Sequence, residues 1–118
     1  MSKYLLVFRD DPTLRAARKP SAEEMQKEMQ KWTGWIGELS KQGHMQGGEP
    51  LGQGGKTVRG KKKEVHDGPY AEVKDVVNGY LLVTADSLDH AVELSRGCPI
   101  FDNDGSVEVR PIHDMQMP

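Results

Sequence analysis

The sequence predicts an α+β fold of the ferredoxin-like kind, a βαββαβ sandwich with a β-hairpin inserted ahead of its third long strand. Three observations carry that prediction. Tyr4–Phe8 and Tyr80–Ala85 are unbroken apolar runs of strand length, so each reads as a strand buried on both faces. Two segments open on capping residues and continue with helical periodicity, from Ser21 and from Asp86–Ser87. The chain closes on Ser106–Ile112, where Val107 and Val109 face one way and Glu108 and Arg110 the other. Strand, helix, strand, hairpin, strand, helix, strand is the split βαβ order, with both helices on one sheet face.

Taken in order, the strand at Tyr4–Phe8 is bounded by Lys3 and Arg9. Asp10–Pro20 holds two prolines and several basic residues, and reads as a mobile surface connection with its cations in water. Ser21-Ala22-Glu23-Glu24 is a capping box: Ser21 accepts from the N–H of Glu24, and Glu24 reaches back to Ser21. In the helix that follows, Met25, Met29, Trp32, Ile36 and Leu39 recur at spacings of four and three. They form one apolar stripe expected to pack as core. Trp35 falls beside that stripe, where it would line a groove or a partner surface. Gly34 and Gly37 each cost about 1 kcal/mol of helix propensity, which predicts a close backbone approach there. Gly43 stops the helix.

His44–Glu49 reads as a short second strand, closed by Pro50. Gly52-Gln53-Gly54-Gly55-Lys56-Thr57 imitates a phosphate loop, but Pro50 stands where the first glycine is required and no helix follows. A flexible connection is the better account. Val58–Val65 reads as two short strands around a turn at Gly60, with a solvated lysine cluster that discourages edge pairing. His66–Lys74 is the most constrained stretch. Asp67 can fold onto backbone N–H groups, Gly68 can take φ > 0, and Pro69 fixes φ and withholds a donor. Asn78-Gly79 introduces the next strand. Asp86-Ser87-Leu88-Asp89 caps a second helix with Leu88, Ala91, Val92 and Ser95 on one side and Gly97 at its end. Cys98–Phe101 is an apolar loop and Asp102–Gly105 a turn.

A chain of 118 residues holds one core, so a single domain over 1–118 is expected. The net charge of −2 gives no basic field for nucleic acid or anionic lipid. No apolar run approaches the roughly 20 residues that span a bilayer, and the short apolar run at the start reads as a strand rather than a signal peptide. The lone Cys98 excludes an internal disulfide and suits a reducing compartment. The expected location is therefore the cytoplasm, without nucleic-acid or membrane partners. Helices on one face leave the other face of the sheet bare, and its two central strands are apolar there too. A second copy of the chain is the simplest cover, which predicts a homodimer.

With these residues in place, the chain resembles the YCII-related family, in the branch named for its Asp-Gly-Pro-Phe motif, the DGPF domain. The resemblance spans nearly the whole chain. It includes Lys3–Val7, Gly47-Gly48-Glu49-Pro50-Leu51, Asp67-Gly68-Pro69-Tyr70-Ala71-Glu72-Val73-Lys74, Gly79-Tyr80, Asp86–Asp89, Gly97-Cys98-Pro99 and Gly105–Ile112. Tyr70 stands where the name has Phe, and Val73 where Thr is common. The resemblance implies a dimeric α+β barrel, in agreement with the burial argument. It implies no particular reaction. Related members carry a His–Asp pair in a cleft, and here His66 adjoins Asp67, although His66 lies outside the shared motif. Family members also tend to be encoded beside extracytoplasmic-function sigma factors, which adds a sigma factor to the expected partners.

Asp67 is the candidate acid/base: a carboxylate beside an apolar strand can be desolvated into that role. The competing reading is an Asx turn in which it caps backbone amides. Glu49, at a strand end, is a second carboxylate for the same cleft, or a solvated acid. Glu72 and Lys74 can pair if extended, as a surface ion pair. Arg110 suits a bidentate hold on a substrate anion, or a pairing with Glu108 of a second copy. Tyr70 and Tyr80 offer hydroxyls to the cleft, or buried rings with a satisfied OH. His66 completes the ligand-binding set. Cys98 follows a helix C-terminus, where the dipole disfavours a thiolate. His44, His66, His90 and His113 show no metal-ligand spacing. Two functions follow. One is an enzyme without metal or organic cofactor, acting on a small polar or anionic metabolite through Asp67. The other is a non-catalytic ligand-binding or regulatory dimer.

Overall fold

The β1 strand Ser2–Asp10 lies at the heart of a four-stranded antiparallel sheet because its side chains alternate between two apolar sets. Tyr4, Leu6, Phe8 and Asp10 are buried on one face, while Leu5, Val7 and Arg9 are only half covered on the other. The computed structural model describes residues 1–68 and 75–114, the side chains of 15 and 16 apart. Its elements run β1, α1 (Pro12–Arg18), α2 (Ala22–Lys41), β2 (Met45–Pro50), β3 (Lys56–Arg59), β4 (Glu64–Asp67), β5 (Val76–Ala85), α3 (Leu88–Ser95), a 3-10 helix (Pro99–Asn103) and β6 (Ser106–Pro111). The sheet order β2-β5-β1-β6 is that of the ferredoxin-like α+β fold, and β3 and β4 form a separate two-stranded hairpin.

The core lies between the sheet and one helical layer. Leu39 of α2 and Ala91 of α3 pack on Leu6, Leu81 and Val83 together with Ile100 of the 3-10 helix. Phe8, Trp32 and Trp35 meet edge to face, with centroids 5.2 to 6.0 Å apart, an arrangement the ring quadrupoles favour. The other sheet face carries Leu5, Val7, Tyr80, Leu82 and Thr84, half-buried or exposed. Both strands are thus apolar on both faces, as their unbroken runs required.

Several local expectations change. The segment after β1 is not an irregular connection but the helix α1. Asp11 accepts from the Thr13 N–H at 2.9 Å and Pro12 takes the first helical position, the N-cap arrangement that fixes a helix start. Arg18 of α1 is not simply solvated: it donates to the side chain and backbone oxygens of Asn103 at 2.8 Å. The apolar stripe of α2 divides. Trp32, Ile36 and Leu39 pack, whereas Met25 and Met29 are exposed. Trp32 already lies on Phe8, two residues from the end of β1. The N-terminal turns of α2, one turn of about 5.4 Å and more beyond Trp32, leave Met29 and Met25 in solvent. Among the described residues no atom outside the helix comes within 4 Å of a Cβ built on Gly34 or Gly37; close approach falls at glycines outside that helix, among them Gly97, where a Cβ would lie 2.9 Å from the Trp35 ring.

Asn78-Gly79 lies within β5 rather than before it. The register with β1 shifts there, leaving Asn78 bulged, and its carbonyl accepts from the Leu51 N–H at 2.9 Å. Cys98–Phe101 begins a 3-10 turn instead of a loop, and closes as Gly105 N–H bonds Ile100 O at 3.0 Å. Gly43, with φ +81, ends α2 as expected.

Candidate functional site

Directly paired residues in a sheet present their side chains on the same face, so the register builds a surface row by row. Glu49, Tyr80, Val7 and Glu108 form one row across the open face, and Gly47, Leu82, Leu5 and Arg110 the next. Three strand spacings, about 14 Å, separate Glu49 from Glu108. Glu49, Tyr80 and Arg110 therefore share one surface. Leu5, Val7 and Leu82 make its half-buried floor, and Gly47 leaves open space beside Leu82.

At the β6 edge Glu108 gathers two cations. Arg110 Nη1 donates to its Oε2 at 3.1 Å, and Arg9 Nε stands 3.6 Å from its Oε1. Residues two apart on a strand face the same way, so Arg110 meets the Glu108 of its own strand. Arg9 went unnoticed in the sequence because it looked like the boundary of a strand; only the pairing of β1 with β6 places it beside Glu108.

His66 and Asp67 stand elsewhere, on the hairpin. The Asp67 side chain is 93% exposed and accepts from Lys56 Nζ at 2.7 Å. Among the described residues the corner is closed by others: Gly68 N–H bonds Gly55 O at 2.7 Å, and Thr57 Oγ1 donates to Gly68 O at 2.9 Å. Gly68 has φ +84, as the Asp-Gly signal requires. His66 Nε2 lies 3.9 Å from Glu64 Oε2. Tyr70, Glu72 and Lys74 fall outside the described residues.

Two surface grooves accompany these features. One, of about 520 Å³, lies on the helical side along Trp35, Gly97, Cys98 and Phe101, with Lys31 and Arg96 on its rim. Trp35 therefore lines a groove, and its Nε1 donates to Leu94 O at 3.1 Å, which fixes the ring. Both rim cations are already paired, Lys31 with Asp102 at 3.2 Å and Arg96 with Glu93 at 3.0 Å. The second groove, about 420 Å³, wraps the hairpin tip from Arg59 to Lys62 and reaches His66. The thiol of Cys98 is pushed up to about 12, chiefly because burial strips water from the thiolate, with Asp102 adding repulsion. It is no nucleophile at neutral pH.

The fold also joins two histidines that no spacing linked. The rings of His44 and His90 meet edge to face at 5.1 Å. Each has one nitrogen engaged: His44 Nδ1 lies 2.9 Å from Thr84 O, and His90 Nδ1 accepts from the Asp86 N–H at 3.0 Å. Among the described residues no three His, Cys, Asp or Glu side chains gather as a metal site. No helix there is long and apolar enough to cross a membrane.

A model of the YCII-related domain matches residues 3–116. The chain belongs to the YCII-related family. No curated protein matches it. In this YCII-related chain the match runs from β1 through β6, so it takes in the open sheet face, the helical layer and the hairpin together. It names a domain and no reaction.

Proposed function

We infer that this YCII-related protein, one domain over residues 1–118 and of the DGPF branch, is a cytoplasmic ligand-binding homodimer. It holds a small polar or anionic metabolite between two opposed sheet faces. The observation that carries this reading is the composition of the open face. An apolar floor of Leu5, Val7 and Leu82 is rimmed by Glu49 on one edge and by Arg9, Glu108 and Arg110 on the other. Such a floor facing water favours cover by a second sheet, and stacked sheets lie about 10 Å apart. A twofold axis parallel to the strands sets the β2 edge of one copy over the β6 edge of the other. Glu49 then faces a cluster of two cations and one anion, a complementary pairing.

In that slot Arg110 has donors left over from Glu108 for a carboxylate or phosphate, and the half-exposed Tyr80 presents its hydroxyl beside Glu49. The exposure of Asp67 favours binding over catalysis. A general acid or base must reach a proton on a held substrate, whereas Asp67 stands in water on the hairpin and bonds Lys56. A sensing role beside an extracytoplasmic-function sigma factor, which the resemblance implies, uses the same site and needs no catalytic group or cofactor.

The test is a thermal-shift screen of small carboxylates, phosphates and polar metabolites, repeated on Arg110→Gln, Glu49→Gln and Tyr80→Phe. A ligand at about 100 times its Kd stabilises the native state by about 2.7 kcal/mol. Hits on the wild type should lose most of that rise in Arg110→Gln. A ligand whose stabilisation persists in all three variants binds elsewhere, and this reading then falls.

A further inference from the structure

The hairpin of β3 and β4 is hard to explain as part of one subunit. Among the described residues it pairs only with itself, and a two-stranded hairpin alone is marginal in water. Val58 and Val65 sit opposite each other on one of its faces and remain 61% and 60% exposed. The radius of gyration of the chain is 16.2 Å, against about 13.5 Å for a compact chain of this length. Charge is segregated too. Residues 56–67 hold five basic and two acidic side chains, net +3, in a chain of net −2, so the remainder carries −5. Lys61, Lys62 and Lys63 have no carboxylate partner among the described residues.

A second exposed surface complements it. The first turns of α2 expose Met25 and Met29. Across Ala22–Gln30 they carry Glu23, Glu24 and Glu28 against Lys27, net −2. The two surfaces lie at the same end of the sheet but at opposite edges. The hairpin leaves from the β2–β5 edge, where Leu51 bonds Asn78. The first half of α2 is tied to the turn that opens β6, through Glu28 with Asn103 at 2.6 Å and Lys31 with Asp102. Within one chain the width of the sheet divides them. The twofold axis that lays the β2 edge over the β6 edge sets them at the same edge and the same end of the dimer, where the hairpin must pass the edge of the partner's sheet to reach its helical side.

We propose that the β3–β4 hairpin is an arm that grips a second copy of the chain, seating Val58 and Val65 on Met25 and Met29 of the partner subunit. Its lysines then face the acidic first turns of that helix. The proposal rests on the sheet-to-sheet dimer inferred above and adds what closes it: each arm shuts the end of the slot nearest Glu49 and Tyr80.

The test pairs single cysteines, Val58→Cys or Val65→Cys with Met25→Cys or Met29→Cys, in mixtures of two variants treated with a short bismaleimide. Cys98 is buried and stays out of the reaction. At least one arm–helix mixture should give a covalent dimer well above either variant alone. The triple reversal Lys61→Glu, Lys62→Glu, Lys63→Glu touches only exposed side chains. It should raise the dimer dissociation constant about tenfold at low salt, and less at high salt. No cross-linked dimer from any of the four mixtures overturns the proposal, as does a dissociation constant that ignores the reversal. Leu82→Lys separates the two readings. Cross-linking that survives a dimer insensitive to Leu82→Lys keeps the arm and removes the opposed sheets; a dimer dissolved by Leu82→Lys but never cross-linked does the reverse.

Discussion

Leu81 and Leu82 are adjacent in β5 and face opposite ways, so one strand provides a matched experiment on its two faces. Leu81 is 4% exposed and packs in the core. Truncation to Ala there leaves a cavity and costs about 2–5 kcal/mol of folding stability. At roughly 3–6 °C per kcal/mol for a domain of this size, Leu81→Ala should melt about 6–30 °C below the wild type. Leu82 is half-buried on the open face, opposite Leu5 and the bare Gly47. A lysine there can carry its ammonium to water in a lone subunit, so folding stability should move by only about 0.5 kcal/mol. In a dimer of opposed sheets the same change acts twice by symmetry. Each copy forfeits about 1 kcal/mol, half the burial of a leucine, and each adds an ammonium whose desolvation costs several kcal/mol. The dissociation constant should rise at least about 10³-fold. Sedimentation across a dilution series reads the second effect. Circular-dichroism melts at dilutions where the wild type is monomeric read the first. A Leu82→Lys protein that dimerises like the wild type refutes the opposed sheets. One that unfolds as a monomer shows instead that the lone subunit already packs this face.

Three further outcomes follow from local geometry. A Cβ on Gly105 would lie 2.4 Å from Ile100 Cγ1 and 2.9 Å from Arg9 O, so Gly105→Ala forces the 3-10 turn off β1. A loss of about 1–3 kcal/mol is expected in urea melts. The raised pKa of Cys98 makes stability fall with alkali: the unfolded thiol ionises from about 9.0, whereas the folded one stays protonated to about 12. The stabilisation is complete below pH 9 and is lost by about 1.4 kcal/mol per unit as pH rises through that window; Cys98→Ala should flatten this slope relative to the wild type. Asp11→Ala removes the N-cap of α1 and should cost about 0.5–2 kcal/mol, seen as faster amide exchange in residues 12–18.

What was legible in the sequence was what depends on period and chain order. Two runs apolar at every position read as strands apolar on both faces, and a capped helix after each run points to the sheet order observed. Punctuation was harder to read, because one residue type serves several ends. Pro12 belongs to a stretch that reads as a surface connection although, behind Asp11, it is a helix start. Gly97 stands just past the end of α3 as expected, but without a left-handed φ; the Trp35 ring is what excludes a Cβ there. The stripe of α2 was read correctly as a pattern and wrongly as uniform burial. Periodicity says which side of a helix is apolar, but the far end of the sheet decides how much of it finds a partner.

The candidate site divides along the same line. Glu49, Tyr80 and Arg110 are separated by up to 61 positions, yet antiparallel pairing puts them on one surface. Strand order fixes that, and the sequence held it. Asp-Gly-Pro at Asp67 is a rigid signal, and a rigid corner is required wherever a chain turns, including the root of a hairpin separate from the sheet. The same reasoning applies to His66, three residues beyond the lysine tip. Constraint in the backbone and convergence of side chains are independent properties. Only the second makes a binding site, which is why the proposed one is the half-apolar sheet face where Glu49, Tyr80 and Arg110 share a surface.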